Sequence, residues 1–479
     1  MAGATAVVVG SGPNGLAAAI RLAQAGLRVA VYEAADEIGG GTRSSELMCA
    51  GVTHDHCSAF HPLGVASPSL STLPLERYGL RWRWAPIDCA HPLDDGTAAL
   101  LYRDLDATAA GLGADGPRWS ALFGPVAARF DDVASELLGP VAHMPRHPVT
   151  LARTGIRALA PATVLARTMR SPAARALFTG MAAHGFTRLD RPGSAAAGVM
   201  LVAAGHRAGW PVAEGGSAAI TRAMAALLAD LGGTVTTGVT VTSLGDVPPA
   251  DVVMLDVLPE AAAQILGTTM PRRLRASFGR RRPRAAAFKV DYVIDGDVGW
   301  SAPGCDRAGT VHLGGTSDEI AAAERQMLAG VMPARPFTLV GQQWLADPSR
   351  AAGTLRPLWA YAHVPAAHEG DVTDVVTAQI ERFAPGFTER IVDVRSSSPA
   401  QLAHDNPNYR GGDIGGGPND LAHLVMRPRP TLSPYRTGAD GIYLCSSSTP
   451  PGGGVHGMCG WHAANAALSR RTRSTGRSW

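Results

Sequence analysis

The chain has 479 residues, 46% of them hydrophobic and 17% charged, which is enough apolar material for a large core and two or three domains. A formal net charge of +3 is too mild to indicate a nucleic-acid partner. Six cysteines without a C-x-x-C pair suggest no disulfide framework, so a reduced, cytoplasmic setting is expected.

In chain order, the first element is the apolar run 6–9, which reads as a buried parallel strand. Because it begins within a few residues of the start, no signal peptide is expected to precede it. Gly10, Gly12 and Gly15 follow as G-x-G-x-x-G, with Pro13 and Asn14 between them. Residues 16–24 read as an Ala-rich helix and 27–32 as a second strand that ends at Glu33 and Ala34. Such glycines permit a tight turn, the approach of a pyrophosphate and close packing of helix on strand. The helix N-terminus offers free N–H groups to the phosphates. An acid at the tip of the second strand accepts from ribose hydroxyls and disfavours a 2′-phosphate, so Glu33 selects the dinucleotide. Gly39, Gly40, Gly41, Thr42 and Arg43 form a second glycine cluster, where Arg43 could neutralise phosphates. The stretch 54–61 holds His54, His56, Cys57 and His61. On an extended chain these alternate faces, and no further ligands are evident, so no metal is expected; His61 or His56 is expected to face a substrate cavity.

Residues 61–205 are rich in Ala, Leu and Arg, with helical spacing at 119–138 and 173–184, and read as a helical insertion. Residues 210–244 return to α/β character: a helix over 217–231 ends at Gly232-Gly233, and 234–244 reads as two short strands turning at Gly238. Another buried strand covers 250–257. Strands at 285–295, 309–315 and 356–365 and an amphipathic helix within 371–387 predict a second, sheet-plus-helix domain. Lys289 lies inside the first of these strands, where an ammonium is costly without a partner. It either serves the site or snorkels at a sheet edge. Tyr409 and Asp413 are expected to wall the substrate side. The C-terminal segment 438–471 gives a strand at 442–445, a glycine loop at 450–454 and a helix from Val455 onward, a second anion or flavin site. No apolar run is long enough to span a bilayer. The basic runs 280–284 and 470–477 read as a surface loop and a frayed tail; peripheral membrane contact is the alternative.

These motifs, in this order, resemble FAD-dependent oxidoreductases of the phytoene desaturase-like branch of the amine oxidase flavoprotein superfamily. The chain is most similar to bacterial relatives of the pyridine nucleotide-disulfide oxidoreductase domain 2 proteins, in which "NPNYRGGDIGGG" also has a counterpart. The resemblance implies an α/β fold: a discontinuous Rossmann-like FAD-binding domain (1–60, 206–284 and 405–479) interleaved with a substrate domain (61–205 and 285–404). It implies non-covalent FAD held by Gly10, Gly12, Pro13, Asn14, Gly15, Glu33, Ala34, Gly40, Gly41, Thr42, Arg43 and the backbone of Val239. Gly454, Val455, His456, Gly457 and Met458 would lie along the flavin. Lys289 would hold a water at flavin N5, and His456 and His61 are the other catalytic candidates. The implied activity is hydride removal from a C–H bond of an apolar small molecule, with oxygen or a quinone as acceptor. A peroxide-producing amine or amino-acid oxidase and a non-catalytic FAD-binding protein are the alternatives.

Overall fold

A computed structural model describes residues 3–140, 143–279 and 283–475. The basic runs 280–284 and 470–477 therefore lie partly outside the described residues. Two sheets organise the chain. The first has five parallel strands in the order Ile442–Leu444, Val252–Leu255, Thr5–Val9, Arg28–Tyr32 and Thr234–Thr236. Its strands read as near-continuous apolar runs because helices cover both faces. Helix Pro13–Gln24 buries Leu16, Ala18, Ile20 and Leu22 completely. The last helix, Met458–Thr475, crosses it so closely that a Cβ on Gly460 would lie 1.8 Å from the Asn14 carbonyl oxygen. Small residues such as Ala463, Ala464 and Ala467 continue that contact.

Two expectations for this half need correction. Of the two strands expected over 234–244, only Thr234–Thr236 forms. The Asp246 carboxylate accepts from the N–H groups of Thr242 (2.7 Å) and Ser243 (2.8 Å), which removes donors that a second strand would need. The final helix starts at Met458, not at Val455. Gly457 sits at φ +67°, outside helical space, and the His456 imidazole Nδ1 accepts the Met458 N–H (3.1 Å) as a side-chain cap.

The second sheet has seven strands in the order Ile391–Ser397, Ala285–Asp295, Leu355–Pro365, Thr338–Gly341, Ala308–Leu313, Ile87–Pro92 and Ala98–Leu101. It is antiparallel except where Ala308–Leu313 runs parallel to Ile87–Pro92. Alternation along Ala285–Asp295 sends Phe288, Val290 and Tyr292 to one face, against Val376 and Ile380 of helix Thr373–Phe383. Ala287, Lys289 and Asp291 point to the other face, beside His363, Tyr361 and Trp359 of the neighbouring strand. The helical insertion covers that face: Phe178 and Met181 from Pro172–Ala183 and Val199 and Val202 from Ala195–Ala208 share its core with Leu339, Trp359 and Tyr361. All five strands of the first sheet fall within 1–60, 206–284 and 405–479, and all seven of the second within 61–205 and 285–404. The site forms where the two sheets and the insertion meet.

Candidate functional site

A cavity of about 1040 Å³ runs from the glycine turn after the first strand to the middle of the second sheet. It reaches the upper end of the range of about 300–1,000 Å³ usual for small-molecule sites, and so has room for a dinucleotide with a substrate beside it. At one end, Gly10, Gly12, Pro13, Asn14, Glu33 and Ala34 line it. Helix Pro13–Gln24 begins at Gly12, which has no side chain to cap it; Pro13 carries no N–H and the Gly15 N–H donates to Asp256 (2.8 Å), which leaves the Asn14 N–H at the helix start for a ligand. The Glu33 carboxylate is fixed at the strand tip: it accepts from the Ser11 N–H (2.8 Å), the Ser11 hydroxyl (2.7 Å) and the Ala35 N–H (3.0 Å). Gly15 does not line the cavity. It lets helix and turn close, because a Cβ there would lie 2.1 Å from the Gly10 carbonyl oxygen.

The second glycine cluster lies against the first. Gly40, Gly41 and Thr42 line the cavity, and a Cβ on Gly40 would stand 3.4 Å from the Gly12 Cα. Val239 lines it too; its N–H donates to the Glu33 carbonyl (2.8 Å), so its carbonyl is the group left to meet a ligand. Opposite, Gly454, Val455 and His456 form the wall ahead of the last helix. The Asn14 N–H at the helix start and the two glycine turns fit a bound dinucleotide.

Several further expected contacts are not where the sequence reading placed them. Arg43 does not line the cavity: its guanidinium donates to the carbonyls of Gly40 (3.1 Å) and Asp405 (2.6 Å). Gly457 and Met458 are absent from the lining as well, since Gly457 packs on Ala17 and Met458 joins the core. Lys289 is buried on the cavity-facing side of its strand, yet its ammonium forms an ion pair with Asp291 and it is not among the lining residues. The spacing of two residues puts both charges on one face, and the strand satisfies its lysine internally. The histidine stretch does not converge: His54 bonds the Tyr292 carbonyl (3.1 Å), His56 the Ser45 hydroxyl (2.8 Å) and His61 the Ser217 hydroxyl (2.9 Å). Asp413 lies outside the cavity and accepts the Gly415 N–H (2.8 Å), whereas Tyr409 lines it.

His61 and His456 both face the cavity. The Ser217 hydroxyl donates to the Ser58 carbonyl (2.7 Å), so it can only accept from His61. That places the proton of His61 on Nε2 and leaves Nδ1, buried and unpartnered, as a base. Burial lowers its pKa to about 4. His456 is likewise lowered to about 4 by burial.

Some site residues escaped the sequence reading. Asp256 follows the strand Val252–Leu255 and accepts the Gly15 N–H (2.8 Å). Burial raises its pKa to about 7, and the charge of Glu33 adds to the rise. An acid directly after a buried strand is the signal that could have found it. His184 lines the cavity and contacts His312, Nε2 to Nε2 at 3.1 Å; His91 and the His363–Glu324 pair (2.7 Å) lie close by. These five residues come from five separate elements, and no local pattern joins them. Among the described residues, the carboxylates of the lining are Glu33 and Asp256, both at the nucleotide end, and no Lys or Arg lines the cavity. The other end is walled by Leu63, Leu159, Phe186, Met200, Leu339, Trp359 and Tyr361.

Residues 8–72 match the family described as NAD(P)-binding Rossmann-like domain. Over 96 residues the chain is 38% identical to the pyridine nucleotide-disulfide oxidoreductase domain-containing protein 2 of Mus musculus, and over 93 residues 39% identical to that of Rattus norvegicus. Those stretches cover 20% and 19% of this chain and 16% of each relative's length. Among solved structures, an oxidoreductase from Methanosarcina mazei aligns with a TM-score of 0.62 and 16% identity over 97% of this chain and 100% of that one. A putrescine oxidase with bound putrescine gives 0.60 and 18% over 98% and 100%. A fatty acid isomerase from P. acnes that produces CLA gives 0.57 and 14% over 98% of both chains. The chain therefore shares the α/β fold of these structures, with a Rossmann-like nucleotide domain.

Proposed function

We propose that the chain is an FAD-dependent oxidoreductase of the phytoene desaturase-like kind, acting on an apolar small molecule. The observation that carries this reading is the composition of this cavity: nucleotide-binding turns at one end, and at the other a chamber that, among the described residues, is free of Lys, Arg and carboxylates. Bound FAD supplies a hydride acceptor at N5. The glycine turns and the start of helix Pro13–Gln24 hold its pyrophosphate, and Glu33 receives a ribose hydroxyl. The turn Gly454–His456 would face the ring. The apolar chamber orients the substrate and excludes water. A dehydrogenation also releases a proton, and His61 Nδ1 is the free base on the wall that would take it. Lys289 is given no direct role, since Asp291 holds its ammonium.

One observation favours the second reading, an amine oxidase. Trp359 and Tyr361 form an edge-to-face pair (5.0 Å, 76°) on the chamber wall, a surface that accepts a cation. Anaerobic mixing of the FAD-loaded protein with panels of unsaturated lipophiles and of amines separates the two. Bleaching of the flavin by the first class supports the proposal. Bleaching by amines alone, with peroxide on admission of air, replaces it with the second reading.

A further inference from the structure

We propose that a second cavity, beside the chamber, takes an oxyanion head group of the substrate, a carboxylate or phosphate carried on an apolar chain. This rests on the reading of the chamber as a site for an apolar molecule, and it assigns the polar end of that molecule. The second cavity measures about 440 Å³. It lies between the segment 186–192, the start of strand Ala285–Asp295, the end of helix Ser317–Leu328 and the loop 413–420. The first three of these bring arginine to it: Arg188 and Arg191, Arg284, and Arg325. Phe186, Thr187, Ile414, Gly415 and Asn419 line both this cavity and the chamber, so the two meet along one wall. Among the described residues no Lys or Arg lines the chamber itself. The charged end of an amphiphile therefore finds its counter-ions on the far side of that wall.

The arginines differ in what they already hold. Arg188 donates twice to the Asp190 carboxylate (3.0 and 2.6 Å). The guanidinium groups of Arg191, Arg284 and Arg325 are exposed and, among the described residues, have no hydrogen bond or ion pair. The two carboxylates of the lining are engaged elsewhere. Asp420 accepts from the imidazole of His423 (2.7 Å), and Asp413 accepts the Gly415 N–H (2.8 Å) while burial raises its pKa. Three unpaired guanidinium groups around one cavity favour an oxyanion, which each can meet with charge-assisted hydrogen bonds. The shared wall carries a second, independent mark of a ligand site. Phe186 has φ +48°, in the left-handed region where a bulky residue is an outlier, and its ring is stacked on His363 (3.8 Å). Backbone held this way gathers at ligand clamps. Phe186 stands where the head group and the chain of one amphiphile would part.

The test is isothermal titration calorimetry of the FAD-loaded protein with decanoate, decyl phosphate and decanol, each below its solubility or micelle limit, at low and high salt. The double variant Arg191→Ala/Arg325→Ala is measured beside the parent. Both side chains are exposed and unpaired among the described residues, so its melting temperature and flavin content should match the parent's. At least one of the two anions is expected to bind at least about tenfold more tightly than decanol. That preference should weaken as salt rises and fall to about threefold or less in the variant, with decanol binding unchanged. Tighter binding of decanoate supports the proposal with a carboxylate head, and tighter binding of decyl phosphate supports it with a phosphate. Anions that bind no better than the alcohol, or an anion preference that the variant retains in full, would overturn it. Calorimetry needs no turnover, so the two readings fail separately. Flavin bleached by uncharged lipophiles, with no preference for anions, retains the proposed function alone. A preference for anions without bleaching by any lipophile retains only the head-group site.

Discussion

Lowering the pH from 7 to 5 is expected to destabilise the protein by about 4 kcal/mol through buried neutral histidines. His61, His91 and His456 have pKa values lowered by burial to about 4, and His184 to about 3, against 6.5 for a free imidazole. A base with a depressed folded pKa contributes stability that is complete above pH 6.5 and is lost as pH falls towards the folded value. At pH 5 the unfolded imidazole is protonated and the folded one is not, which removes about 2 kcal/mol per histidine relative to pH 7. Asp88 and Asp256, raised by burial to about 7, act in the opposite sense. They are protonated in the fold at pH 5 while the unfolded chain is ionised, and each returns about 2 kcal/mol. The histidines therefore win by about 4 kcal/mol, a large share of the stability of about 5–15 kcal/mol usual for a folded protein. Urea titrations at the two pH values, followed by circular dichroism, read the difference. His91→Phe, which removes one titrating group, should shrink it by about 2 kcal/mol. An unfolding midpoint that is the same or higher at pH 5 would refute the reasoning.

Gly15→Ala is expected to abolish flavin uptake and lower the melting temperature, because its Cβ would stand 2.1 Å from the Gly10 carbonyl; flavin content of the purified variant checks this. Overpacking of this kind costs about 1–3 kcal/mol even where the backbone can shift. FAD affinity should fall as pH rises through about 7, where Asp256 ionises beside the helix N-terminus. In Asp256→Asn that pH dependence should disappear, and parallel binding curves for variant and parent between pH 6 and 8 would count against it. His61→Phe is expected to slow flavin reduction by the substrate at least about 100-fold. Its flavin spectrum should be unchanged, and stopped-flow reduction measures the effect.

The nucleotide half of the site was legible because its chemistry is local. Gly10, Gly12, Glu33 and the glycine loop before the last helix are set by turn geometry within a few residues of sequence. Arg43 misled because a cation near a glycine turn serves backbone carbonyls as readily as phosphates, and here Gly40 and Asp405 take it. Lys289 misled because its partner lies on its own strand, where alternation brings Asp291 to the same face. The expected second strand at 239–244 failed for a side-chain reason, the Asp246 carboxylate capturing the strand's donors. Asp256 was hidden because its role depends on a bond to Gly15, 241 positions away. The histidines around His184 and His312 come together only when the insertion folds over the large sheet.

The most direct test of the account is the visible spectrum of the purified protein, taken again on the supernatant after heat denaturation. The account predicts a two-band flavin spectrum and release of the colour as free FAD. A colourless protein that also fails to take up added FAD would contradict it.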